Sequence, residues 1–322
     1  MAVYTEVSFA QADTFVHGLG RGALRSLQGI GAGIENTNYF VGTDRGEWVL
    51  TLFERLSHEQ LPFYLRYMQH LARHGLPVPE PQADAQGRLL HELCGRPAAL
   101  LSRLHGEHVL APDIDHIEQL GTMLARLHLA GADFELHQPH LRGLDWWIAT
   151  VPEVLPFLDT ERAALMRDEL AFQRSLAASG AARALPRGPI HADLFRDNVV
   201  FEEADGRSRL SGLFDFFFAG VDTLLFDMAV CLNDWCIDPA TGRLVDEQAA
   251  AFCAAYERVR PLDSGEQRLL PALLRAAAFR FWLSRLWDLH LPRDAALLQA
   301  KDPLHFERVL RQRIEAPWHP LH

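Results

Sequence analysis

Lysine is almost absent from this chain. Of its 31 basic residues only Lys301 is a lysine, and every other one is arginine. A Walker A phosphate loop is thereby excluded, because Gly-Lys-Ser/Thr occurs nowhere. Cysteine is scarce as well. Cys94, Cys231, Cys236 and Cys253 have neither zinc-ligand spacing nor the look of a disulfide framework, which suits free thiols in a reducing cytoplasm. No uncharged apolar run reaches the length of a membrane span. The start, Met1-Ala2-Val3-Tyr4-Thr5-Glu6, lacks the basic residues and apolar core of a signal peptide. Positive charge is short too: the net charge of −11 argues against a nucleic-acid or anionic-membrane partner. What remains is an ordinary globular composition, 48% hydrophobic and 23% charged, in 322 residues. That length can bury a large core and suggests two lobes in a soluble, cytoplasmic protein.

The chemistry concentrates in Pro189-Ile190-His191-Ala192-Asp193-Leu194-Phe195-Arg196-Asp197-Asn198, followed by Leu213-Phe214-Asp215-Phe216. His191, Asp193 and Asn198 share one tight turn, and Asp215 closes the next apolar run. Phosphoryl transfer from ATP needs such a set: an Asp to orient and deprotonate a hydroxyl, and an Asn and an Asp to hold Mg²⁺. The spacing H-x-D-x-x-x-x-N is that of a kinase catalytic loop, with Ala192 where protein kinases carry Arg. A plain polar turn could also place Asp and Asn here as backbone caps. Asp215, however, lies between Phe214 and Phe216, where a carboxylate is costly to desolvate unless paired or metal-bound.

Residues 1–104 read as a small sheet lobe. Ser8 is a plausible N-cap for a short helix, and strands are expected at 23–28, 37–43 and 47–54. The third alternates Trp48, Leu50 and Leu52 against Val49, Thr51 and Phe53. Between the first two strands, Gly29, Gly31 and Gly33 would let backbone amides approach phosphate oxygens, although glycine also serves ordinary turns. A helix over 57–74 and strands at 88–92 and 98–104 follow, the last two around Cys94-Gly95-Arg96-Pro97. A hinge at 102–107 would set an adenine beside the backbone. Residues 105–322 then turn helical, over 116–130, 161–180 and 266–291 among others. His128 is expected to be a packed or surface histidine. The helix over 266–291 places Arg280, Ser284 and Asp288 four apart on one face, either a solvated stripe or a substrate-facing one.

His191, Asp193, Asn198 and Asp215 resemble the catalytic and metal set of the aminoglycoside and choline phosphotransferases, within the protein-kinase-like fold. More specifically, Gly33-Ile34-Glu35-Asn36-Thr37-Asn38-Tyr39-Phe40, Val49-Leu50-Thr51-Leu52-Phe53-Glu54, Leu76-Pro77-Val78-Pro79, Leu124-Ala125-Arg126-Leu127-His128 and Arg142-Gly143-Leu144-Asp145-Trp146-Trp147 resemble the homoserine kinases of the pseudomonad type. These blocks run through both lobes. The resemblance implies an α+β, bilobal protein-kinase-like fold and transfer of the ATP γ-phosphate to the hydroxyl of L-homoserine, on the route to threonine. It implies Asp193 as base with His191 supporting the loop, Mg²⁺ on Asn198 and Asp215, phosphates at Gly31, Gly33, Asn36 and Asn38, and adenine at Leu101, Ser102 and Leu104.

One departure stands out. The strand-three lysine of kinases falls on Thr51, so an arginine such as Arg55, or Mg²⁺ and backbone amides, must neutralise the phosphates. For the acceptor, Arg280 and Asp288, with Ser284, Asp222 and Asp234, offer both charges of an amino acid. Other small alcohols, aminoglycoside or choline-like, remain open as acceptors. An inert kinase-like nucleotide-binding module also remains open, supported by the missing lysine alone. The sequence leaves the oligomeric state open.

Overall fold

The computed structural model describes residues 5–31, 36–291 and 301–320. The chain divides into two compact units, Met1–Gly106 with Ser211–Phe214, and Glu107–Leu210 with Asp215–His322. The short return of 211–214 to the first unit is fixed by backbone and side-chain bonds. Leu213 N donates to Pro77 O at 2.8 Å, and Ser211 Oγ donates to His105 O at 2.7 Å.

In the first unit, helix α1 (Phe9–Gly18) begins at Ser8, whose side chain forms a reciprocal capping box with Gln11. Strands β1 (Leu24–Gly29), β2 (Asn36–Thr43) and β3 (Gly46–Phe53) follow, then helix α2 (Leu61–Arg73), β4 (His91–Leu93) and β5 (Arg96–Ser102). They form an antiparallel sheet in the order β1-β2-β3-β5-β4. Ala12 and Val16 of α1 pack on Val41, Leu50, Leu52 and Leu100 in one buried cluster. The period of two in β3 sets Leu50 and Leu52 on one face and Thr51 and Phe53 on the other, and Leu50 through Phe53 are all buried. Thr51 and Phe53 therefore lie under cover on the face opposite Leu50 and Leu52. The turn before β5 is shorter than the sequence suggests. Cys94 and Gly95 both take left-handed backbone, a two-residue hairpin turn, so Arg96 and Pro97 already pair with β4.

The second unit holds α3 (Ile114–Ala130), α4 (Leu144–Val154), α5 (Thr160–Ala177), the short α6 (Gly180–Arg183), β6 (Arg187–Ile190), β7 (Val199–Ala204), the start of β8 (Arg207–Leu213), whose residues from Ser211 on belong to the first unit, β9 (Gly220–Thr223), α7 (Leu224–Trp235), α8 (Asp246–Glu257), α9 (Ser264–His290) and α10 (Pro303–Glu315). β7 and β8 form a hairpin through left-handed Asp205 and Gly206. β6 pairs antiparallel with β9, a strand that no alternation in the sequence marks. Helix α7 is buried along nearly its whole length and is the spine of this unit, packing against α9. Asp263 caps the 27-residue α9 in a capping box with Glu266. Among the described residues no helix is long and apolar enough to cross a membrane.

Candidate active site

The turn from His191 to Asn198 joins β6 to β7 and is held from behind by α7. Asp227, at the end of the apolar run Leu224-Leu225-Phe226, is completely buried. Its Oδ2 accepts from His191 N and its Oδ1 from Ala192 N, both at 2.7 Å. These two bonds hold Ala192 at φ 65°, a left-handed conformation that a non-glycine residue adopts only when its surroundings enforce it. Trp235 Nε1 donates to Leu194 O at 3.0 Å, and Arg196 binds Asp234 through its backbone N–H and its guanidinium. The turn is thus anchored at three points along one helix.

His128 on α3 completes the support. It is buried, with Nδ1 at 2.7 Å from Tyr256 Oη and Nε2 at 3.2 Å from Asp227 Oδ2. Both nitrogens are engaged, so it is a packed histidine, as the sequence suggests. Burial alone would push the Asp227 carboxyl up. The His128 hydrogen bond, the fields of His128 and His191, and the His191 N–H outweigh it and hold the group below the usual carboxylate range. The desolvation argument applied to Asp215 applies equally to an aspartate inside Leu224-Leu225-Phe226-Asp227-Met228-Ala229, and that is the signal by which the sequence could have shown Asp227.

Asp193 presents its side chain at the front of the turn, 15% exposed. Its N–H donates to His191 Nδ1 at 3.2 Å, while the His191 ring packs against Phe216. Asn198 Nδ2 donates to Asp193 O at 2.7 Å and lies 3.2 Å from Asp193 Oδ2. With the amide nitrogen so used, the Asn198 Oδ1 faces away from Asp193 as an oxygen donor. Asp215 follows β8 in left-handed backbone, φ 64° and ψ 58°, which turns the chain into Phe216–Phe218. Desolvation pushes Asp193 up to about 8, with the Arg280 guanidinium opposing and the Asp215 carboxylate reinforcing. Two carboxylates and an amide oxygen are hard donors, and they fit a hard divalent cation such as Mg²⁺ better than a soft metal.

Arg280 on α9 is buried, its Nη1 3.7 Å from Asp193 Oδ1. Ser284, one turn on, is half-buried, and Asp288, a further turn on, is exposed. Asp222 sits on β9 with its carboxylate 3.2 Å from His140 Nδ1 and 3.0 Å from Arg187 Nη2, and Asp234 is engaged by Arg196. Of the acceptor candidates, the structure brings only Arg280 to Asp193 at ion-pair distance among the described ion pairs. The single lysine also converges on this turn: Lys301 Nζ lies 2.9 Å from Asp197 Oδ2, and its charge reaches Asp193.

In the first unit, Asn38 and Thr51 are cross-strand partners, and Thr51 Oγ1 donates to Asn38 Oδ1 at 2.7 Å. The place of the strand-three lysine is therefore a buried hydroxyl tied to the neighbouring strand. Asn36 is buried at the start of β2; Gly31 is exposed, and a Cβ added there would meet nothing within 4 Å. Gly33, Ile34 and Glu35 lie outside the described residues. Leu101 is buried in β5, Ser102 ends that strand with its Oγ accepting from Glu80 N, and Leu104 lies just beyond. Arg55 is half-buried after β3, and Arg103 stacks its guanidinium over Phe40 at 4.2 Å.

A phosphotransferase is the class these features define: residues 26–262 match the phosphotransferase enzyme family. Within it, the chain is similar over 318 residues, at 60% identity, to the homoserine kinase of Polaromonas naphthalenivorans, with 99% of each chain covered. It is 53% identical over 322 residues to the homoserine kinase of Ralstonia pickettii, with 98% of this chain and 96% of the relative covered. The chain belongs to the homoserine kinases of the phosphotransferase family. Among solved structures, an amicoumacin kinase in complex with AMP-PNP and Ca²⁺ superposes with a TM-score of 0.68 at 15% identity, covering 92% of this chain and 90% of that one. The fold is accordingly the α+β protein-kinase-like one, with a small antiparallel sheet and a larger, mainly helical part.

Proposed function

We propose that this protein moves the γ-phosphoryl group of ATP onto the side-chain hydroxyl of L-homoserine, with Asp193 as the base. The new bond joins the acceptor oxygen to the γ-phosphorus, the bond from that phosphorus to the ADP oxygen breaks, and the hydroxyl proton passes to Asp193. The observation that carries the reading is Asp193 itself. It is a partly exposed carboxylate on a strained turn, held by Asp227 behind it and by Asn198 beside it. Burial raises its proton affinity, and the field of a bound divalent cation would favour the ionised form that a base requires.

His191 supports the turn rather than the substrate: it is wholly buried and receives the Asp193 N–H. Asn198 and Asp215 would hold Mg²⁺, which supplies neutralisation of phosphate charge as the bond to ADP lengthens. For the nucleotide we assign Gly31, Gly33, Asn36 and Asn38 to the phosphates and Leu101, Ser102 and Leu104 to the adenine. Thr51 acts through Asn38, whose amide its hydroxyl orients. Catalysis on this account is chiefly positioning and charge stabilisation.

The test is ADP release from Mg-ATP with L-homoserine, L-serine, choline and kanamycin offered separately. Turnover confined to homoserine is the expected result. Preferred turnover of another alcohol would discard the acceptor and keep the catalytic residues, whereas ATP binding without turnover of any of the four would favour an inert nucleotide-binding module.

A further inference from the structure

We propose that Arg280 binds the acceptor's carboxylate and so selects an amino acid from among alcohols. This rests on the homoserine reading above and extends it to the atoms that choose the acceptor. Arg280 is only 3% exposed, on a helix otherwise apolar around this point. Its Cζ lies 3.8 Å from the centroid of Phe281 and 5.0 Å from that of Phe218. With the Phe281 ring against its Cζ, the guanidinium keeps its planar fork of N–H donors, which a carboxylate meets in two parallel bonds. The 3.7 Å from Nη1 to Asp193 Oδ1 is too long for a hydrogen bond, so Asp193 and Arg280 are joined by charge alone.

The size of the acceptor makes the pairing natural. Three C–C bonds separate the hydroxyl carbon of homoserine from its carboxyl carbon, which puts the two functional groups roughly 5 Å apart at ordinary bond lengths. A hydroxyl seated on Asp193 therefore carries its carboxylate into the reach of a guanidinium whose nearest nitrogen is 3.7 Å from that same Asp193. The same cation repels choline or a polyamine sugar, which would bring positive charge against a desolvated guanidinium. A leucine or phenylalanine would fill the slot between Phe218 and Phe281 without burying a charge, so a purely packing role does not account for arginine here.

The experiment compares L-homoserine with 3-aminopropan-1-ol, which has the same hydroxyl and amine without the carboxylate. kcat and KM are measured for both acceptors with the wild type, Arg280→Met and Arg280→Lys, alongside melting temperature and Mg-ATP affinity. In the wild type, homoserine should be favoured by about 10²-fold in kcat/KM, the scale of charge-assisted hydrogen bonds. In Arg280→Met that preference should collapse to within a few-fold, the homoserine loss falling mainly in KM, and Arg280→Lys should recover part of it. An equal loss for both acceptors, with the preference intact, would overturn the proposal and place Arg280 in service of the base or the phosphoryl group. If Arg280→Met does not fold, Arg280→Lys decides the same question through the preference ratio. If the wild type itself fails to turn over homoserine, the acceptor reading has failed, and that result is distinct from an unchanged ratio.

Discussion

Replacing Asp193 by Asn should slow the reaction and stabilise the fold at the same time. The change keeps the shape of the side chain and leaves the bond from Asn198 Nδ2 to the Asp193 carbonyl in place. A lost general base lowers kcat by roughly 10²–10⁴-fold, or about 2.7–5.5 kcal/mol of barrier. The stability effect has the opposite sign. The folded protein holds the Asp193 proton up to about 8, against 3.8 for the free group. Between those limits the native state binds more protons than the unfolded chain, so stability declines as pH rises through the window. Below it both states are protonated and nothing is lost. Each tenfold change in proton affinity corresponds to about 1.36 kcal/mol. The value of about 8 already contains the opposing pull of Arg280. Asn escapes the penalty, so Asp193→Asn should exceed wild type by about 2–5 kcal/mol at pH 8, with the gap closing towards pH 4. Urea unfolding of metal-free, nucleotide-free protein at pH 4.5, 6 and 8 measures the gap, and coupled ADP release measures kcat. A kcat within tenfold of wild type, or a stability gap indifferent to pH, would refute the reasoning.

Asp215→Ala should weaken Mg-ATP binding while leaving metal-free nucleotide binding nearly unchanged; calorimetric titration with and without Mg²⁺ decides, and equal affinities would reject the metal assignment. Asp227→Asn should destabilise by about 3 kcal/mol or more, because one amide oxygen cannot accept from both His191 N and Ala192 N, which leaves a buried donor unsatisfied. Its pH signature is the reverse of Asp193's. The folded carboxyl is held below the free value of 3.8, so its contribution is present above that value and disappears as pH falls through the folded one. The stability gap between wild type and Asp227→Asn should therefore shrink below pH 4, as read from urea midpoints, and a constant gap would contradict the assignment.

The turn from His191 to Asn198 is legible in the sequence because its residues are contiguous and their types are chemically demanding: His191, Asp193 and Asn198 in a fixed spacing. Ser8 and the β2–β3 hairpin are legible for the same local reason. What the sequence conceals depends on distant partners. Gly220-Val221-Asp222-Thr223 has no alternation to mark it as a strand, and only its pairing with Arg187–Ile190 makes it one. That pairing also explains Asp222, which a reading by charge offers to the acceptor but which the fold places beside Arg187 and His140. The cover over both faces of β3 from Leu50 to Phe53 likewise comes from distant partners that a period of two does not show. The reach from Asp227 back to His191, 36 residues along the chain, follows no period at all. It is set by how α7 packs beneath β6.

A chain with one lysine offers chemists an address. Lys301 is the only side-chain amine in the protein, half-exposed, and its Nζ rests 2.9 Å from Asp197, within the turn from His191 to Asn198. Among side chains an amine-directed fluorophore would find this one alone, without mutagenesis, against a carboxylate on the same turn as Asp193. Acylation would also strip Asp197 of its counter-charge and leave a more negative field over Asp193. The label would thus report on the turn and perturb it together.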